Sequence, residues 1–385
     1  MPELGFPRRV ILGERASDAV QGLLTLIGGR RVLLVSDPWL SKTPGYRSLL
    51  GALMSQYDVL EFSEVEPEPG IETALKAAEH ARGVDAVIAY GGGSVIDVAK
   101  AATVLAKRPG MSVENIAPFN ILGIELEKPI LIAVPTTSGT GSDASYGIVL
   151  SKHVEGVGKV KIAVGSFEVI PFATVLDPEL PSGAPERVKI GAVVDALTHA
   201  VESLACTNTN PISEALAEKA VALIFQHAPK ALKEGDRESW EALHAAATMA
   251  GMAFTNSGLG LAHAIAHPLG GLLGTHHGTT VGITLLGVLP LYEKTEGSGE
   301  RLERLKKVLE HLYGQPPSPD LRAHIERLYR EIGQPLRFRE LGIERDKYEK
   351  AAEKAAELAY HDPEIAFSPV IPEVEGLREL IMSLY

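Results

Sequence analysis

Between Ala242 and Tyr292 the chain has no Asp, Glu, Lys or Arg, yet this stretch carries His244, His263, His267, His276 and His277, five of its twelve histidines. A segment that excludes formal charge but keeps imidazoles is a segment to be buried, and buried ring nitrogens at short spacing need protons, hydrogen-bond partners or a metal. His263 and His267 are four residues apart in GLGLAHAIAHPLGG, which puts both on one face of a helix, and His276 and His277 follow a glycine-rich bend. Upstream, Asp195 and His199 repeat the four-residue spacing within AVVDALTHAV. Alone, such a pair would read as a solvated ion pair. With several imidazoles able to converge on it, the set reads as a divalent metal site, although spacing does not choose among His263, His267, His276 and His277. Cys206 is the only cysteine, so an intrachain disulfide and a thiolate cluster are excluded and any metal must use N and O ligands.

A second chemistry-bearing pattern lies in the first half. Gly91, Gly92, Gly93 and Ser94 sit between the strand-like VDAVIAY and a helix beginning VIDVAK. Glycines there let a ligand approach the backbone, and the free amides at a helix start favour a phosphate. A tight turn would use the same glycines. A second loop, Thr136 to Ser142, follows PILIAVP, again after a strand, where α/β sheets bind ligands. Asp37 ends the earlier strand RVLLVS, where a carboxylate could bond adenosine ribose hydroxyls and repel a 2′-phosphate, selecting NAD, although a lone Asp before Pro is more often a turn former. Because Asp37 precedes the glycines, the arrangement is not the ordinary G-x-G-x-x-G fingerprint.

The elements that must position these residues follow from periodicity. RVLLVS, DVLEF, VDAVIAY and PILIAVP alternate with helical stretches, a βαβ rhythm that predicts a parallel sheet covered on both faces. GIVLS, KVKIAV and ATVLDP read as further strands or a hairpin. Beyond DPELPSGAPER, which supplies a boundary between Leu180 and Arg187, helical periodicity continues to the end. At 385 residues two domains are expected. A net charge of −12 argues against a nucleic-acid partner. The uncharged stretch is interrupted by Gly, His, Asn, Thr and Pro, so it does not read as a membrane span, and MPELGFPRRV lacks a signal peptide's apolar core. The expectation is a cytoplasmic protein.

GLGLAHAIAHPLGG followed by HHG, with DALTHA, GGGSVIDVAK and PTTSGTGS in matching order and spacing from Arg31 to Pro290, resembles the iron-dependent alcohol dehydrogenase family, which includes lactaldehyde reductases and butanol and propanediol dehydrogenases. The resemblance implies an α/β plus all-α, dehydroquinate synthase-like architecture. Residues 1–182 would be a parallel-sheet dinucleotide-binding domain and 183–385 an all-helical metal and substrate domain, with the metal in the cleft between them. Carried over by position, the ligands would be Asp195, His199, His263 and His277, leaving His267 as a proton-relay group. The NAD contacts would be Asp37, Gly92, Gly93, Ser94, Thr136, Thr137, Thr140 and Ser142, with Lys161 at a ribose. A homodimer is also implied.

The chain departs from the family where His276 replaces a common Pro and Thr279 and Thr280 replace an Ala-Asn pair. Near the C-terminus His361, Asp362, Pro363 and Glu364 stand where many members have Asn-Pro-Arg. The expected reaction is NAD-dependent hydride transfer between a small primary alcohol and its aldehyde. A divalent metal, Fe(II) by the family analogy and Zn as a substitute, would stabilise the developing alkoxide. Phe254, Asn256 and the His263 to His277 region would line an uncharged pocket. The rivals are a glycerol dehydrogenase-like or dehydroquinate synthase-like enzyme and a metal- or nucleotide-binding protein without turnover.

Overall fold

Apolar runs that lack polar alternation become strands buried from both sides. The computed structural model describes residues 3–117, 120–125, 127–154 and 158–385, and the chain divides into two units, Met1–Ala184 and Pro185–Tyr385. Among the described residues the first unit has eight strands: β1 (Arg9–Leu12), β2 (Arg31–Val35), β3 (Asp58–Phe62), β4 (Ala86–Gly91), β5 (Ile130–Pro135), β6 (Gly147–Val154), β7 (Gly158–Gly165) and β8 (Ala173–Leu176). Six form one sheet in the order β1-β8-β5-β4-β2-β3, with every pairing parallel, and β6 and β7 form an antiparallel hairpin.

Period-two alternation divides the sheet's side chains between two cores. On one face Val32, Leu34, Ile88 and Val134 pack with Leu23 and Leu24 of α1 (Ala16–Leu26) and Leu49 and Leu53 of α2 (Pro44–Met54). On the other, Leu33, Val35, Val87 and Ala89 pack with Ala74 and Ala77 of α3 (Ile71–Ala81) and Val98 and Ala102 of α4 (Gly93–Lys107). The chain leaves β2 through α2 for β3 on one side and leaves β4 through α4 for β5 on the other. The connections therefore diverge between β2 and β4, and such a switch point is where open α/β sheets bind ligands, beyond the carboxyl ends of the strands. The one-turn helix α5 (Glu179–Ser182) ends this unit.

The second unit is helical: α6 (Glu186–Ala205), α7 (Pro211–Glu234), α8 (Arg237–Ser257), α9 (Leu261–Leu273), α10 (His277–Tyr292), α11 (Ser298–Leu312), α12 (Leu321–Ile332), α13 (Arg345–Tyr360) and α14 (Val374–Met382). From Val193 to Ala205 every residue of α6 is buried, the signature of a helix enclosed by others, and it packs on α7, α8 and α10. The uncharged stretch maps to most of α8 and to α9 and α10, whose apolar residues belong to the same core. Among the described residues no helix is long and apolar enough to cross a membrane.

Helices α6 and α10 meet through glycines. A Cβ added at Gly278 would stand 2.0 Å from the Gly191 carbonyl oxygen, so both backbones approach closer than any side chain allows. Gly278→Ala should overpack this contact and cost about 1–3 kcal/mol. Gly271→Ala in α9, where nothing lies within 4 Å, should be neutral or stabilise by up to about 1 kcal/mol. Thermal denaturation of the two variants checks this, and an unchanged Tm for Gly278→Ala would contradict the packing described.

Candidate functional site

Asp195 and His199 occupy successive turns of α6 and share one face, as their spacing requires. Asp195 Oδ1 is 3.7 Å from His199 Nε2, 3.7 Å from His263 Nε2 and 3.5 Å from His277 Nε2. His263 comes from the first turn of α9. That helix ends at Gly274, whose left-handed φ of 71° reverses the chain, so His277 opens α10 after a short turn. The His199 and His263 rings stack with centroids 4.7 Å apart.

These separations are too long for hydrogen bonds, and Asp195 Oδ1 and His263 Nε2 are buried without one. Asp195, His263 and His277 each offer one ligand atom, all within 4.8 Å of one another. His199 meets Asp195 but stands outside that three-atom set. Donors about 2.1 Å from a common tetrahedral centre lie roughly 3.4 Å apart, close to the spacing here. Asp195 Oδ1 and His263 Nε2, buried without hydrogen bonds and gathered with His277 at this distance, fit a divalent cation. Burial alone would push the Asp195 carboxyl up, but the imidazoles of His199, His277 and His263 hold it well below the usual carboxylate range. Burial would push His263 down, yet Asp195 and Glu202 raise it to about 10, so coordination through Nε2 has to displace a proton.

Glu202 is a residue that sequence reasoning missed. It is fully buried near the end of α6 and accepts hydrogen bonds from His263 Nδ1 (2.6 Å), the Ala262 amide (2.7 Å) and the Tyr292 hydroxyl (2.8 Å). Tyr292 accepts in turn from the Leu261 amide at 2.7 Å. The free amides that begin α9 are thus satisfied by two side chains from other helices, and His263 is fixed with Nδ1 outward and Nε2 toward Asp195. Burial raises the Glu202 carboxyl, and these donors outweigh it and lower it. The available signal was a lone Glu inside the otherwise uncharged run ALTHAVESLA.

The other histidines separate. His267 lies one turn beyond His263, its ring stacked on His277 at 5.6 Å, and its Nδ1 is 2.9 Å from Asp362 Oδ2. His276 caps α10 and turns toward Gly191, where an added Cβ would meet its ring at 2.5 Å; burial lowers its pKa. His244 is buried on α8, outside the group around Asp195. Phe254 packs on the His199 ring at 4.6 Å. Asn256 is buried, with its amide donating to the Met252 carbonyl at 2.7 Å.

In the first unit, Gly92 caps α4, and Gly93 begins it. A Cβ on Gly93 would meet Thr140 at 3.0 Å, and one on Gly92 would meet Thr137 at 3.5 Å. The glycine loop and the loop after β5 therefore touch, with Ser94 and Thr136 beside the contact; the Thr136 amide donates to the Gly91 carbonyl at 3.1 Å. Ser142 differs from its neighbours. Its hydroxyl donates to Asp97 at 2.5 Å and accepts from the buried Lys100 ammonium at 3.2 Å, so it braces the loop against α4. Asp37 Oδ1 accepts the amides of Trp39 and Leu40 at 2.8 and 2.7 Å. It forms a turn, and Oδ2 is what remains to meet a ligand. Lys161, on β7, holds Glu68 Oε1 at 2.7 Å, so any ribose contact would have to share that ion pair.

Comparison with known proteins gives a consistent picture. Residues 7–178 match the model of the iron-containing alcohol dehydrogenase family and residues 189–383 match that of its C-terminal region. An alcohol dehydrogenase of Thermococcus barophilus is 33% identical, the alignment covering 97% of this chain and 96% of that protein. A 1-propanol dehydrogenase of Citrobacter freundii is 28% identical over the whole of both chains. The solved iron-containing alcohol dehydrogenase of Thermococcus thioreducens superposes with a TM-score of 0.88 at 30% identity, covering 100% of this chain and 99% of that one. With a six-stranded parallel sheet, an all-helical second unit and these matches together, the chain belongs to the iron-containing alcohol dehydrogenase family, oxidoreductases that interconvert alcohols and aldehydes with a nicotinamide cofactor.

Proposed function

We propose that this chain is an NAD-dependent dehydrogenase of short, uncharged primary alcohols, with one divalent metal, Fe(II) by family, held by Asp195, His199, His263 and His277. The observation that carries the reading is the set of ligand atoms from Asp195, His263 and His277 within 4.8 Å of one another, with His199 adjoining Asp195. When bound, such a metal supplies Lewis acidity toward an alcohol or carbonyl oxygen. The chain's own groups do the rest. Glu202 holds the Nδ1 proton of His263, which leaves Nε2 as the donor atom. His267 accepts the alcohol proton in oxidation and returns it in reduction, the balance being alcohol plus NAD⁺ to aldehyde, NADH and a proton.

For the cofactor, Gly92, Gly93 and Ser94 at the start of α4 would receive the pyrophosphate. Thr136, Thr137 and Thr140 would continue the contact, Ser142 would act through the shape of its loop, and Lys161 would reach a ribose only alongside Glu68. Asp37 Oδ2 would accept a ribose hydroxyl and repel a 2′-phosphate. The substrate reading rests on charge: the carboxylates of Asp195, Glu202 and Asp362 lie against these imidazoles, which disfavours an anion. The glycerol dehydrogenase-like and dehydroquinate synthase-like readings, and a binding protein without turnover, are not favoured by the family match. A cytoplasmic setting and a homodimer belong to the same proposal.

Three outcomes are expected. Metal-depleted protein should take up one Fe(II) or Zn per chain, His263→Ala should lose that uptake, and Glu202→Gln should bind about 10–100-fold more weakly; chelator competition reads all three, and normal affinity in His263→Ala would refute the ligand set. Asp37→Asn keeps an oxygen for the turn while removing the charge, so it should relax the NAD over NADP preference; equal kcat/KM for both cofactors in the unmodified protein would rule out that role. Among butanol, propanediols, lactaldehyde and a carboxylated or phosphorylated aldehyde, the neutral compounds should give the higher kcat/KM, and a preference for the anions would overturn the substrate class.

A further inference from the structure

Asp362, just beyond the end of α13, lies against His267. Asp362 caps the short helix Pro363–Phe367, with Oδ1 accepting the Glu364 amide at 3.0 Å. Its own amide donates to the Ala359 carbonyl at 3.1 Å, and Pro363 restricts the backbone that follows. Oδ2, held in place by the cap, stands 2.9 Å from His267 Nδ1. The Asp362 side chain is 13% exposed and that of His267 29%, so the carboxylate is largely enclosed while the ring keeps access to solvent. The ring stacks on His277 at 5.6 Å and meets His263 edge-on at 5.9 Å.

We propose that Asp362 is the positioning residue of His267: it fixes the Nδ1–H tautomer and the ring plane, and so presents Nε2 as the atom that takes and returns the proton. The inference rests on the reading of His267 as the proton carrier. A carboxylate oxygen can only accept, so a neutral ring beside it must place its proton on Nδ1. Both oxygens are committed, one to the cap and one to the ring, which prevents the carboxylate from turning away. Without this anchor the ring could flip or change tautomer and present an N–H where an acceptor is needed.

Asp362→Asn tests the assignment sharply. Its single amide oxygen should stay with the Glu364 amide, which leaves its NH₂ facing His267 Nδ1 and forces the proton to Nε2, the wrong tautomer for accepting one. The variant should keep the fold, the metal content and, within about threefold, the KM for alcohol, while kcat falls about 100-fold. Nitrogen-15 spectra of imidazole-labelled, metal-free protein at a pH where the ring is neutral give a readout independent of turnover. The His267 signals, identified by their loss in His267→Ala, should show Nδ1–H in the parent and Nε2–H in Asp362→Asn. A parent ring in the Nε2–H form overturns the proposal, even if the variant does not fold. So does Asp362→Asn with normal kcat beside a slow His267→Ala, and that result leaves the proton-carrier role standing. A normal rate in His267→Ala itself removes that role and the proposal with it.

Discussion

The charge on Asp195 sits on a helix buried at every residue from Val193 to Ala205, with 4% of its side chain exposed. An ionised carboxylate taken this far from water costs several kcal/mol unless other charges or dipoles answer it. Here the answer comes from three imidazoles carried by α6, α9 and α10. Each must reach the same oxygen, so the packing of the three helices is constrained to a fraction of an ångström. The Gly191 and Gly278 contact and the left-handed Gly274 serve that constraint, because one lets α6 and α10 close up and the other returns the chain within one turn.

Around this point the carboxylates form tiers. Asp195 faces the Nε2 atoms, Glu202 holds the far side of His263, and Asp362 holds the far side of His267. Each outer carboxylate is itself anchored, Glu202 by the Ala262 amide at the start of α9 and the Tyr292 hydroxyl at the end of α10, Asp362 by the amide it caps. Imidazoles oriented this way have little rotational freedom, which is what a metal centre and a proton carrier both need. The first unit obeys a separate logic. There, positioning is done by backbone: strands β4 and β5 end in register, Gly91 opposite Pro135, so the two loops after them touch, and the buried Lys100, Asp97 and Ser142 lock that contact.

Much of this was legible in the sequence where one physical rule dominates. The parallel sheet follows from apolar runs without alternation, and the convergence of Asp195, His199, His263 and His277 from four-residue spacings, the uncharged stretch and the family motifs. Spacing alone could not separate the four histidines of α9 and α10, because tautomer and ring direction depend on partners distant in sequence, such as Glu202 and Asp362. The partners of the Asn256 amide on its own helix and of the Ser142 hydroxyl on Asp97 likewise depend on the fold, and spacing does not show them. Strand β1 carries RVIL on an exposed sheet edge, so its apolar residues show neither alternation nor full burial, and nothing in its pattern announced a strand.

The proposed metal centre joins one carboxylate to imidazoles on α6, α9 and α10 around a divalent cation. X-ray absorption spectroscopy of the protein reconstituted anaerobically with Fe(II) addresses it directly. A nitrogen and oxygen first shell is expected, with imidazole outer-shell scattering from more than one histidine, and His277→Ala should lose one imidazole's share with the iron retained or weakened. An all-oxygen shell without imidazole scattering, or a spectrum unchanged by His277→Ala, would contradict it.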